Sequence, residues 1–139
     1  MRRERVPRRL VVGETVWLWS VGHAHTATRD ARGFPVYPDC RELLTLRRAD
    51  ARHAQLRLVF RAGPGRLVPD GLGPSGSIGD RAGRDLNLHE PGVVHGLLAE
   101  AEARGLSPVA HGVTEVDGWP LFDALVSGQA HRVPQDQAP

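Results

Sequence analysis

His23 and His25 are the pair whose spacing most directly suggests chemistry in this 139-residue chain. Residues at i and i+2 of a strand share a face, so two imidazoles there make half of a zinc or copper site. Cys40 or His53 would have to complete it. With two ligands placed out of the usual three or four, the expectation is a polar strand end and no metal. His89-Glu90 followed by His95 resembles a zinc-protease helix only superficially. Such helices hold their histidines at i and i+4, and a six-residue step turns about 240° at 3.6 residues per turn. Ser75-Gly76-Ser77 lacks the Gly-x-Ser-x-Gly of a nucleophile elbow and reads as a turn. Cys40 is the one cysteine, which excludes an intramolecular disulfide and a four-cysteine zinc centre. Nothing fixes a histidine beside it, so a buried or edge-strand thiol is expected. No catalytic residue and no cofactor is assigned.

The second group of interest is the segment 61–90, crowded with glycine, proline, arginine and aspartate, which runs into the clearest helix of the chain. Connections longer than roughly 12–15 residues are uncommon in compact domains unless they are functional or disordered. A glycine-rich loop feeding a helix start can bind phosphate through unpaired N–H groups and the positive dipole end. Here Gly-Lys-Ser/Thr and a placed Gly-x-Gly-x-x-Gly are both missing, and Asp85 and Glu90 put negative charge where an anion would sit. An ordered surface loop in which Arg66, Arg81 and Arg84 pair with Asp70, Asp80 and Asp85 is the simpler expectation. Recognition of a protein partner is then assigned to Arg61, Arg66, Asp70, Arg81, Arg84, Asp85 and His89. An anion- or nucleotide-binding role, or a small enzyme using the helix start, stands behind it.

Charge offers an alternative. All 18 basic residues are arginine; residues 1–66 hold fourteen of them against six acids, and residues 67–139 hold four against ten. Such asymmetry means either a polyanion-binding half or two halves that neutralise each other. Arg2, Arg3, Arg5, Arg8 and Arg9 form a basic arm, and Arg41, Arg47, Arg57 and Arg61 could line what would be an open sheet face. The strands lack the interleaved aromatics of an RNA-binding platform, and no helix-turn-helix spacing is present. Nucleic acid therefore ranks behind a protein partner. No membrane is expected: no run approaches 18 apolar residues, and no apolar leader follows the arginines. A cytoplasmic protein is expected, consistent with the lone cysteine.

These residues need elements to position them. Leu10-Val11-Val12 and Thr15–Val21, split by Gly13-Glu14, predict a hairpin, with Trp17, Trp19 and Val21 on one face of the second strand. Residues 23–40 read as a connection. Strands follow at 40–48, where Glu42, Leu44 and Leu46 alternate with Arg41, Leu43, Thr45 and Arg47, and at 55–61, where Leu56, Leu58 and Phe60 share a face. Pro91 at a helix start, the stripe Val93, Val94, Leu97, Leu98 and Ala101, and Gly105 as C-cap predict a helix over 91–104. After a connection at 109–118, Trp119–Val126 suggests a short second helix. The fold class is α+β: an antiparallel sheet of about four strands, packed by the main helix and the short one near the C-terminus. One domain spans 9–126, between a basic arm at 1–8 and a flexible tail at 127–139.

The phrases from Leu58 to Gly71 and from Leu86 to Val94 resemble a group of small uncharacterised actinobacterial α+β proteins. The resemblance covers most of residues 10–126 and implies a bacterial source and a single-domain build. The arginine-for-lysine bias agrees with GC-rich coding of that kind. It carries no activity and no functional residue with it. The reading that follows is a non-catalytic, immunity- or adaptor-like binding module.

Overall fold

Trp17, Trp19 and Val21 are 1–4% exposed while Val16, Leu18 and Ser20 between them are half-buried, so the alternation read from the sequence is that of a strand covered fully on one face only. The computed structural model describes residues 6–36, 38–69, 75–108 and 111–136, with side chains followed as far as residue 128. In chain order the elements are β1 (Arg8–Val12), β2 (Thr15–Ala24), β3 (Thr28–Arg29), β4 (Pro35–Val36), β5 (Arg41–Arg48), β6 (Ala54–Arg61), β7 (Arg66–Leu67), β8 (Ser77–Asp80), β9 (Asp85–Asn87), α1 (Pro91–Ala103), β10 (Gly112–Asp117) and α2 (Trp119–Asp136).

The main sheet has the order β1-β2-β5-β6-β10. The first four strands pair antiparallel, as the short turns between them require, but β10 lies parallel to β6 with Val116 opposite Leu58. The sheet is therefore mixed and five-stranded rather than antiparallel with about four strands. Two parallel neighbours need a long crossover, and the chain between β6 and β10, with α1 inside it, is that crossover. The stretch expected to be a plain connection supplies the fifth strand. The expected loops at 23–40 and 61–90 also carry strands: β3 and β4 form a small hairpin, and β7, β8 and β9 a separate three-stranded sheet.

Both helices lie on the face that displays Leu44, Leu46, Leu56, Leu58 and Phe60, all 0% exposed. α1 buries the stripe Val93, Val94, Leu97, Leu98 and Ala101. It stops by a two-bond C-terminal cap: Gly105, at φ +73°, donates to the Glu102 carbonyl and Leu106 donates to that of Ala101. α2 begins where Asp117 Oδ1 accepts from the Trp119 N–H and the Gly118 carbonyl accepts from Leu121 and Phe122. It extends through Asp136, beyond the expected Val126. Trp119 meets Phe60 and Phe122 edge-on, at 5.4 and 5.1 Å between ring centres. Among the described residues no helix is long and apolar enough to cross a membrane.

Candidate functional site

The described parts of the segment 61–90, residues 61–69 and 75–90, form a ledge fastened to the frame. Arg66 donates both terminal nitrogens to the carboxylate of Asp123 on α2, each at 2.7 Å, and its guanidinium lies 4.7 Å over the Trp119 ring. The hydrogen bond with Asp123, against the pull of burial, holds the Arg66 pKa above its ordinary value, and the same bond holds Asp123 below the usual carboxylate range. The β8–β9 turn is closed by Asp80. Its Oδ1 accepts from the N–H groups of Ala82 and Arg84, and its Oδ2 from Arg84 Nε at 2.8 Å. Burial alone raises the Asp80 pKa, yet the hydrogen bonds from Arg84 overcome it and the net shift is downward. A shallow groove of about 410 Å³ opens here, lined by residues that include Leu67, Val68, Pro69, Ile78, Arg84 and Asp85.

Of the residues expected to meet a partner, Arg81 and Asp85 are exposed on this ledge. Arg84 is engaged with Asp80 as expected, whereas Arg66 pairs with Asp123, 57 residues away, and acts as a clamp. Arg61 bonds Asp39 at 2.9 Å. His89 serves the turn before α1: its N–H donates to Asn87 Oδ1, and its Nε2 meets the Ser75 carbonyl at 2.9 Å. Asn87 thus shapes the approach to the helix, and Glu90 offers no side-chain cap. Asp70 lies outside the described residues.

The arginines read as a nucleic-acid face divide. Arg2, Arg3 and Arg5 lie outside the described residues. Arg8, exposed on the edge strand, lies 4.6 Å over the Trp19 ring and donates to the His89 carbonyl. Arg41 bonds Asp39, and Arg57 bonds Glu115 on β10 and Thr45. Arg9 and Arg47 flank Leu18 in one cross-strand row and make no ion pair among the described residues. β10 thus sets an acid into the face that the sequence pattern painted basic.

Beside the histidine pair weighed from the sequence stands an acid that the pattern reading passed over. Glu42 is 0% exposed and accepts three hydrogen bonds: from His23 Nδ1 at 2.6 Å to Oε1, and from Ser75 Oγ at 2.5 Å and the Gly76 N–H at 2.9 Å to Oε2. The signal was present in the pattern, since Glu42 is in phase with Leu44 and Leu46 and an acid on a core face needs partners. Strand register explains the assembly. His23 pairs with Glu42 across β2 and β5, so two residues further His25 comes to the level of Cys40. The His23 and His25 rings lie 5.4 Å apart, and a nitrogen of each, with the Cys40 sulfur, falls within a 4.8 Å span. Asp39, at φ +59°, turns the chain into this position. His53, the other expected ligand, packs instead against His111 at 5.5 Å.

The order of these groups excludes one chemistry. A nucleophilic triad places the imidazole between hydroxyl and acid. Here the carboxylate sits between Ser75 and His23, so the imidazole does not reach the hydroxyl and the order of a triad is not met. What the arrangement does is orient the histidine: the carboxylate engages Nδ1 and leaves Nε2 as the ring nitrogen open to another partner. That Nε2 is buried without a hydrogen-bond partner among the described residues. Comparison of the chain with protein-family models, with curated proteins and with solved structures finds no match.

Proposed function

We propose that this chain is a non-catalytic binding module that recognises a protein partner through the β7–β9 ledge. The observation that carries the reading is the joining of a rigid mount to an exposed apolar contact. Leu67 is 59% exposed beside the groove, while the neighbouring Arg66 is locked to α2. Recognition concentrates on loops that a rigid scaffold holds in place, and a preformed surface loses little conformational freedom on binding. The groove is lined by apolar side chains together with both charge signs, Arg84 and Asp85. That chemistry suits a polypeptide with an apolar anchor and mixed charge better than it suits a polyanion.

The test is capture from a lysate of the native host at low and high salt, read by mass spectrometry, with three baits: the unaltered chain, Leu67→Asp, and Arg9→Ala/Arg47→Ala. A protein retained by the first and third baits and lost with Leu67→Asp supports the proposal. Retention of nucleic acid that falls steeply with salt and depends on Arg9 and Arg47 overturns it, because phosphate contacts carry that salt signature.

A further inference from the structure

The geometry points to a second site, independent of the ledge: His23, His25 and Cys40 form a three-ligand centre for a divalent transition metal of borderline softness, zinc foremost, with Glu42 as its positioning residue. Four observations converge. The donor set is two imidazoles and a thiol, which zinc favours over calcium or magnesium. The donor atoms already lie within 4.8 Å of one another. A tetrahedral zinc with Zn–N near 2.0–2.1 Å and Zn–S near 2.3 Å needs them about 3.3–3.6 Å apart, a closure within reach of side-chain rotation. His23 Nε2 is a buried nitrogen with no hydrogen-bond partner among the described residues, and buried polar atoms are costly to leave unpaired. Finally, His23 carries at Nδ1 the 2.6 Å bond to a carboxylate that accompanies metal-bound histidines and fixes their tautomer.

The position in the fold gives such an ion a structural consequence. His25 and Cys40 stand at the two ends of the excursion that carries β3 and β4. An ion bridging them to His23 on β2 closes that excursion at its base, and closing a loop removes conformational freedom from the unfolded chain. Binding deprotonates the Cys40 thiol and releases its proton to solvent. Three protein ligands leave a fourth position for water or an added ligand, the count found where zinc remains accessible.

The experiment is titration of the full chain, stripped with a chelator and kept reduced, with Co²⁺ as optical probe and Zn²⁺ as competitor. The expected result is tetrahedral d–d absorption with a thiolate-to-cobalt charge-transfer band. Both saturate at one equivalent and are displaced by Zn²⁺, which also raises the thermal midpoint. Cys40→Ser abolishes the charge-transfer band. His25→Ala, at an exposed position, leaves the fold intact and weakens binding at least tenfold. Glu42→Gln preserves the side-chain volume but turns an amide N–H₂ toward His23 Nδ1, which moves the ring proton to Nε2; affinity then falls about 10–100-fold, the range for outer-shell partners. His53→Ala/His111→Ala leaves binding unchanged. Absence of stoichiometric binding in the unaltered chain overturns the assignment. So does binding that survives both Cys40→Ser and His25→Ala, or binding lost in His53→Ala/His111→Ala.

Discussion

Replacing Glu42 by leucine isolates the energetics of the buried network. Glu42→Leu keeps an apolar group of similar size against Leu44 and Leu46 but removes every acceptor. The three donors fare differently. Ser75 is half-buried and can turn its hydroxyl to water, so its loss is small. The Gly76 N–H is buried, and the His23 side chain is only 13% exposed; neither can find water without moving the β8 start or the end of β2. Each stranded donor costs about 1–3 kcal/mol. Burying leucine returns about 1.5–3 kcal/mol. At the middle of both ranges the difference is a net loss of about 2 kcal/mol, since one side of the network is replaced and the other left unpaired. Glu42→Gln should lose only about 1 kcal/mol, because its oxygen still accepts from Ser75 and Gly76 and His23 changes tautomer to meet the amide. Urea unfolding at neutral pH measures both, with an unchanged m-value required for the comparison. If Glu42→Leu were as stable as the unaltered chain, or if Glu42→Gln were equally damaged, the stranded-donor argument would be refuted.

Two glycines give a matched pair. A Cβ at Gly118 lands 2.5 Å from the ring of fully buried Phe60, which has nowhere to move, so Gly118→Ala should lower stability by about 2–3 kcal/mol. At Gly96 the Cβ meets only the end of the Leu125 side chain, at 2.8 Å. There the gain in helix propensity, about 1 kcal/mol, offsets the repacking, and Gly96→Ala should stay within about 1 kcal/mol of the unaltered chain in the same urea assay. Asp123 is held below its ordinary pKa by the Arg66 hydrogen bond. Its contribution is therefore complete above the unfolded value near 3.9 and disappears as pH falls through the lower folded value. The pair is substantially exposed, 28% and 44%, so Asp123→Asn should cost about 0.5–1 kcal/mol at pH 7. That gap should close in thermal melts taken below about pH 4; a gap constant from pH 7 to pH 3 would contradict the ion-pair assignment.

The sequence alone determined the elements whose side chains repeat. The period-two run of Leu56, Leu58 and Phe60 and the helical stripe from Val93 to Ala101 each specify a face by themselves, because burial selects a periodicity that one stretch of chain displays in full. Pro91 and Gly105 likewise mark the ends of α1 through local backbone preference. Tertiary structure decided what depends on partners distant in the chain. β10 is a strand because β6 offers it a free edge, and its own short alternation is too weak to announce that. Arg66 pairs with Asp123 and not with Asp80 or Asp85, nearer in sequence, because the Trp119 ring and the start of α2 come to rest beneath it. Glu42, legible only as an acid out of place among leucines, acquired its meaning when the β2–β5 register set His23 opposite it and β8 brought Ser75 and Gly76 to its other oxygen. Hydrogen bonds and ion pairs of this kind are directional and short-ranged. They are set by where separate elements finally dock, which no local pattern encodes.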